Sequence, residues 1–140
     1  VSRDWSSDVC SSDLYAIEAV SRGATAAVCA EQAKSAADVI RANAAATQCP
    51  VVVAQESVAR YLQRPAPAPF DVIFIDPPYE MPATEVAEVV AQLELGGFVR
   101  SGSWVIVERS ARGEAPTWPA GLAEVEQRKY GETVLFVLGW

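Results

Sequence analysis

The segment Asp76-Pro77-Pro78-Tyr79 carries the residues of this sequence that are best suited to chemistry. It follows the apolar run Val72–Ile75, and a buried strand should end where the motif begins, because proline lacks the N–H that ladder pairing needs. The Asp76 carboxylate and the Pro77 carbonyl are acceptors that a rigid Pro-Pro backbone would fix. Tyr79 offers a flat face for a base. Such a site would hold an exocyclic amine and aim its nitrogen at an activated methyl carbon.

The motif also allows a purely structural interpretation. Asp76 could cap a turn and Tyr79 could pack in the core, since aspartate and proline are common turn residues. The preceding strand favours the amine site, because ligands in open α/β sheets bind outside the carboxyl ends of strands. These four residues in this order are also rare by chance in a chain of 140 residues.

Two glutamates follow other predicted strands. Glu31 comes after Thr25–Ala30, and an acid there suits the paired hydroxyls of a nucleoside ribose. The alternative is a solvated acid at a helix start, where acids are favoured in any case. Glu56 comes after Val51–Ala54 and would either contact an adenine amino group or be a surface acid. Both residues are therefore candidate cofactor ligands.

Predicted strands alternate with predicted helices, which indicates a mainly parallel sheet covered on both faces. The predicted helices are Ala33–Ala46, a short helix near Ser57–Leu62, and Pro82–Leu93. The predicted strands are Thr25–Ala30, Val51–Ala54, Phe70–Ile75 and Trp104–Glu108, followed by an antiparallel pair, Glu124–Tyr130 and Val134–Leu138, around Gly131. No repeat and no second domain is indicated.

The first fourteen residues differ from the rest of the chain. Val1–Leu14 repeats Ser-Ser-Asp, shows no helical or strand period, and resembles translated sequencing-adapter DNA rather than a flexible native tail or a signal peptide. Tyr15–Ser21 then reads as the end of a helix closed by Gly23. We expect a non-native leader, residues 1–14, before a partial domain, residues 15–140. Most of the first strand and the glycine-rich cofactor loop should be missing, since Gly23 lies too late to supply that loop.

Composition excludes several classes of protein. The chain is 51% apolar and 21% charged, which is a globular composition. Its 11 basic and 18 acidic residues give a net charge of -7, which counts against unaided binding to nucleic acid. With no histidine, it has no Ser-His-Asp or Cys-His catalytic unit and no imidazole-ligated metal. The 3 cysteines fit no metal-ligand spacing and favour a reducing cytoplasm, and no apolar run is long enough to span a membrane.

Several segments together resemble the RsmD family of bacterial 16S ribosomal RNA guanine-N2 methyltransferases. These segments are Glu18–Ala24, Glu31, Phe70–Tyr79, Trp104–Arg109 and Gln127–Thr133. DNA adenine methyltransferases share the Asp-Pro-Pro-Tyr motif, whereas the Ser-Arg-Gly-Ala segment, residues 21–24, and the Tyr-Gly-Glu-Thr segment, residues 130–133, indicate the RsmD family more narrowly. The resemblance covers nearly everything after Leu14.

The resemblance implies a Rossmann-like class I methyltransferase sheet with an antiparallel C-terminal strand. It implies S-adenosylmethionine as the methyl donor and the N2 amino group of one 16S ribosomal RNA guanine as the acceptor. The enzyme would act on a small-subunit assembly intermediate as a cytoplasmic monomer without a metal. Asp76, Pro77, Pro78 and Tyr79 would form the target-amine site. Glu31 would bind the ribose, and Glu56 corresponds only approximately to the adenine ligand.

Two alternatives stay open at this point. One is a DNA adenine-N6 methyltransferase, which uses the same amine chemistry but normally adds a sequence-reading domain of which this sequence shows no trace. The other is a non-catalytic remnant that folds partly or serves only as a binding module. Identifying the methylated nucleoside would separate the two enzymes, and calorimetry with S-adenosylmethionine would test the remnant.

Overall fold

A computed structural model describes residues 22–23, 27–48, 50–77 and 80–140. The chain divides into two compact units, Val1–Tyr61 and Leu62–Trp140. A two-stranded sheet lies in the first unit and a four-stranded sheet in the second. Among the described residues, no helix is both long enough and apolar enough to cross a membrane.

The first unit contains a strand, a helix and a parallel strand. Strand β1 (Ala27–Ala30) pairs with β2 (Val51–Ala54), and Ala30 lies opposite Ala54, so the carboxyl ends of the strands are level. Helix α1 (Lys34–Ala46) connects them, as a parallel pair requires. The side chains buried on α1 are Ala36, Ala37, Ile40 and Ala44, which recur at helical spacing. Small residues on this face allow close packing around Ile40.

The core of this unit is small. It consists of Ala27, Cys29 and Ile40, with Val51 and Val53 packed against it. Cys29 is buried in this core, as is common for cysteine. A short helix, α2 (Val58–Leu62), follows β2. The carboxyl ends of β1 and β2, and the loops that follow them, lie at the same edge of this two-stranded sheet.

The second unit is a four-stranded mixed sheet in the order β3-β4-β6-β5. Its elements are β3 (Val72–Ile75), α3 (Ala83–Leu95), β4 (Trp104–Ser110), β5 (Ala123–Tyr130) and β6 (Thr133–Gly139). Strand β3 pairs with β4 in parallel, whereas β6 is antiparallel to both β4 and β5. The hairpin from β5 to β6 turns at Gly131, whose φ of +59° is a conformation that glycine adopts without strain.

Burial alternates along β4 and β6, so one face of this sheet is covered. The buried side chains of β3, β4 and β6 are Ile73, Ile75, Val105, Val107, Arg109, Val134, Phe136 and Leu138. Strand β5 is exposed at every position and carries charged side chains, as is common at a sheet edge. Arg109 is the only charged residue in this covered layer of the described strands.

These observations confirm the predicted α/β fold class and its antiparallel ending. Boundaries differ where contacts with distant segments decide them. Strand β3 begins at Val72 rather than at Phe70, because the N–H of Phe70 donates to the carbonyl of Phe98 at 2.8 Å, outside the sheet. Strand β4 continues to Ser110, which pairs with Thr133 of β6. Helix α3 continues to Leu95 rather than ending at the predicted Leu93.

Two predictions about the start of the chain fall outside the described residues. They are the non-native leader, residues 1–14, and the helix end, Tyr15–Ser21. Gly23 is described and has a φ of +109°, which is the left-handed conformation predicted for it. The boundary between leader and domain stays a prediction.

Candidate methyl-acceptor and cofactor site

The two acceptors of the motif lie at the carboxyl end of β3. This strand ends at Ile75, which pairs with Val107 of β4. Asp76 follows and is half-buried, whereas the side chain of Pro77 is fully buried. A half-buried carboxylate stays accessible to a ligand, and the buried proline ring fixes the backbone beside it. Pro78 and Tyr79 lie outside the described residues, so the roles predicted for them stay predictions.

The chain beyond the motif is bound to β4 by Arg109. One guanidinium nitrogen of Arg109, Nη2, donates to the carbonyl of Met81 at 2.7 Å. Arg109 is 5% exposed, and this burial lowers the pKa of its guanidinium. Sequence reasoning assigned no role to this residue. A signal was present, since Arg109 continues the alternation of Val105 and Val107, where an apolar side chain is expected.

A groove of about 550 Å³ begins at Glu80, the residue after the motif in sequence. It is formed by the chain entering α3, by Arg109 and by the loop after β4. The residues lining it are Glu80, Met81, Pro82, Ala83, Thr84, Ala87, Arg109, Gly113, Glu114, Ala115 and Thr117. The lining therefore combines carboxylates, hydroxyls and one buried guanidinium directly after the predicted amine site.

In the first unit, Glu31 and Glu56 lie together at the carboxyl end of the sheet. Their backbone N–H groups both donate to the carbonyl of Ala54, each at 2.9 Å. Glu31 is 2% exposed, and its Oε1 accepts the N–H of Ala33 at 3.2 Å. It is therefore not the solvated helix-start acid of the alternative interpretation. The side chain of Glu56 is 15% exposed, with its Oε2 at 3.9 Å from Nε of Arg60.

This pair of carboxylates fits the nucleoside part of S-adenosylmethionine. Two hydroxyls of a ribose and an adenine amino group all need acceptors, and acids at neighbouring strand ends supply them. The oxygens of a carboxylate together accept several hydrogen bonds, so the contact of Glu31 with Ala33 does not exclude a ribose contact. The Glu31 and Glu56 pair belongs to the first unit, and Asp76 and Pro77 belong to the second.

No group of three or more histidine, cysteine, aspartate or glutamate side chains in the described part of the chain could hold a metal ion. The predicted absence of a metal centre stays a prediction for the whole protein.

Comparison with protein families gives one assignment. A family model described as conserved hypothetical protein 95 matches residues 9–139. The chain belongs to this family. All six described strands and all three described helices lie within the matched range. Membership in the conserved hypothetical protein 95 family therefore rests on both units.

Solved structures share the fold. A conserved hypothetical protein from Streptococcus pyogenes has 26% identity and a TM-score of 0.78 over 89% of this chain and 77% of its own. A proposed methyltransferase from Escherichia coli has 22% identity and a TM-score of 0.79 over 87% and 68%. An rRNA methylase from Escherichia coli has 17% identity and a TM-score of 0.60 over 87% and 51%. Curated proteins gave no match. These likenesses show that the family has an α/β fold found in methyltransferases.

Proposed function

We propose that this protein transfers a methyl group from S-adenosylmethionine to the exocyclic N2 amino group of a guanine in 16S ribosomal RNA. The observation that carries the proposal is the placement of Asp76, half-buried and directly after β3, beside the fully buried Pro77. The shared methyltransferase fold and the segments that resemble the RsmD family support it.

The arrangement suggests how the reaction proceeds. When bound, S-adenosylmethionine supplies a methyl carbon on a positively charged sulfur. The Asp76 carboxylate and the Pro77 carbonyl accept the two N–H groups of the target amine, which turns the nitrogen lone pair towards that carbon. The Asp76 carboxylate would stabilise the positive charge that develops on the target nitrogen as the methyl group passes to it from the sulfur. The methylated nitrogen would then lose one proton to solvent water, because this cation is acidic enough to need no separate general base.

The remaining roles are proposals of the same kind. Glu31 binds the ribose hydroxyls of the methyl donor, and Glu56 binds the adenine amino group. Pro78 keeps the motif backbone rigid, and Tyr79 stacks on the target guanine. We take the protein to be a cytoplasmic monomer.

An assembly intermediate of the small subunit suits the charge of the protein better than free RNA does. A net charge of -7 disfavours unaided contact with a phosphate backbone. Ribosomal proteins on such a particle could supply contacts that naked RNA lacks. The rRNA methylase that shares the fold supports an RNA substrate for this chain.

The test is methylation of small-subunit particles and of naked 16S RNA, taken from cells that lack this modification. Nucleosides from the digested RNA are separated and identified by mass spectrometry. The Asp76→Ala variant should lose about 100-fold or more in rate, because it removes an acceptor that orients the amine. The Asp76→Asn variant should retain part of the activity, because its amide oxygen can still accept. Glu88→Ala, an exposed position on α3, is the matched control.

Three outcomes would contradict the proposal. Equal methylation rates for Asp76→Ala and the parent would show that the motif does not form the amine site. N6-methyladenine in DNA, with no methylated guanine in RNA, would indicate the adenine enzyme instead. No transfer to either substrate, together with no heat of binding for S-adenosylmethionine, would favour a non-catalytic remnant.

A further inference from the structure

Arg109 interrupts an otherwise apolar layer. Along β4, the covered positions are Val105, Val107 and Arg109, and Arg109 lies opposite Val134 of β6 in the ladder. All four side chains are buried. By its period, this strand should carry another apolar residue where the arginine stands. A reason other than packing is needed for this side chain.

Burial of a guanidinium is unfavourable in itself. It lowers the pKa of Arg109, although an arginine side chain stays charged at any ordinary pH. Replacing buried charged residues with apolar residues of similar size is often neutral or stabilising. A contribution to stability therefore does not explain why an arginine occupies this position. The contact of Arg109 with another segment of the chain offers an explanation.

That contact joins β4 to the chain just after the motif. Nη2 of Arg109 donates to the carbonyl of Met81 at 2.7 Å, across 28 positions of sequence. At its other end, the same segment leaves β3 at Ile75, which pairs with Val107 of β4. Ile75 and Met81, which lie on either side of the motif in sequence, are thus both held to β4, Ile75 by the strand ladder and Met81 by Arg109.

We propose that Arg109 is a positioning residue: it holds Met81 to β4, so that the Asp76 carboxylate and the Pro77 carbonyl keep the orientation that the amine requires. This inference rests on the proposed function for its catalytic consequence, but not for the anchoring itself. The orientation of two acceptors fails if one end of a short segment is released, since displacements of about 1 Å cost about 100-fold in rate.

The first experiment measures anchoring without any substrate. Hydrogen–deuterium exchange of the Glu85 and Val86 amides, whose N–H groups both donate to the carbonyl of Pro82 next to Met81, is compared in the parent chain, Arg109→Met and Arg109→Lys. Methionine is apolar and fills much of the same space, whereas lysine keeps a donor and a charge. We expect exchange at least about tenfold faster in Arg109→Met, an intermediate effect in Arg109→Lys, and an unchanged melting temperature.

Arg112→Met is the matched control. Arg112 lies shortly after β4, its side chain is 79% exposed, and it pairs with Glu132 rather than with the motif segment. Exchange of the Glu85 and Val86 amides should therefore equal that of the parent. Unchanged exchange in Arg109→Met would overturn the proposal. Faster exchange spread evenly over the whole chain, together with a lower melting temperature, would also overturn it, because Arg109 would then be a general core residue.

The second experiment measures methyl transfer by the same variants. Positioning predicts that kcat of Arg109→Met falls about 10- to 100-fold while KM for the RNA and for S-adenosylmethionine stays within about twofold. Arg109→Lys should recover part of kcat. A raised KM for RNA with unchanged kcat would overturn the proposal, because it would indicate a direct RNA contact. If the parent transfers no methyl group, the exchange result still decides the anchoring, and only the proposed function fails.

Discussion

Asp76 and Glu31 carry carboxylates with different degrees of burial. Asp76 is half-buried after β3, which leaves its carboxylate accessible to a substrate, as its proposed role requires. Glu31 is almost completely buried and already holds the N–H of Ala33. A buried carboxylate that keeps part of its hydrogen-bonding capacity binds hydroxyls strongly, because hydrogen bonds to charged groups exceed those between neutral groups.

This difference leads to a prediction for Glu31. The Glu31→Ala variant should raise the Kd for S-adenosylmethionine about tenfold or more, because a charged hydrogen bond is worth about 1.5–3 kcal/mol. The Glu31→Gln variant should lose less, since its amide oxygen can still accept the N–H of Ala33. Titration calorimetry measures both affinities. Thermal unfolding of the same samples separates weaker binding from a weaker fold.

Asp38→Asn is the control for this experiment. Asp38 is an exposed acid on α1, beside Lys34 and Arg41. Such surface pairs contribute little, so its Kd should match that of the parent. An unchanged Kd for Glu31→Ala would show that Glu31 does not bind S-adenosylmethionine.

At the scale of elements, one serine connects the starts of two neighbouring strands. Oγ of Ser103 donates to the carbonyl of Phe70 at 2.7 Å and accepts the N–H of Arg100 at 2.9 Å. The side chain is 1% exposed. Phe70 and Ser103 lie just before β3 and β4, so this hydroxyl supports the parallel pair whose far end carries Asp76.

We therefore predict that Ser103→Ala lowers the free energy of unfolding by about 1–2 kcal/mol, since it removes two partly buried hydrogen bonds that a buried hydroxyl makes. The exposed Ser101→Ala should change it by less than about 0.5 kcal/mol. Urea unfolding followed by tryptophan fluorescence measures both. Equal midpoints for the two variants would show that Ser103 does not support the strand pair.

Element types were predictable where local signals agree. The apolar run before Asp76 and the hairpin at Gly131 each combine periodicity with a proline or glycine signal, and the alanine-rich α1 consists mainly of strong helix formers. The ends of β3 and β4 were not predictable in this way. The N–H of Phe70 donates to the carbonyl of Phe98 outside the sheet, so β3 starts later than predicted. Ser110 pairs with Thr133 of β6, so β4 ends later than predicted. In both cases, a distant partner decides where the hydrogen-bonded ladder stops.

At the scale of the whole molecule, net charge affects the proposed recognition of RNA. The net charge of -7 opposes the approach of a polyanion, and salt screens that repulsion. Attractive contacts with a few phosphates would have to overcome this repulsion. Affinity for RNA should therefore depend on the particle that carries the RNA more than on the RNA alone.

The corresponding prediction concerns naked RNA. The chain should bind short RNA duplexes with a Kd of about 100 µM or weaker near 0.15 M salt, with a shallow dependence of log K on log salt. Fluorescence anisotropy at several salt concentrations measures both quantities. Assembly intermediates should bind more tightly under the same conditions. Tight binding to naked duplexes with a steep salt dependence would contradict this view of recognition.

The sequence by itself determined the α/β class, the strand that ends directly before Asp76 and the acids that follow β1 and β2. These features follow from apolar runs, prolines and acidic residues that are neighbours in the chain, and local backbone preferences act at that range. Only the tertiary structure decided that Glu31 and Glu56 share the carbonyl of Ala54 and that Arg109 reaches Met81. The contacts of Glu31 with Ala54 and of Arg109 with Met81 join segments far apart in sequence, and no local pattern specifies which distant partner a buried polar group will find.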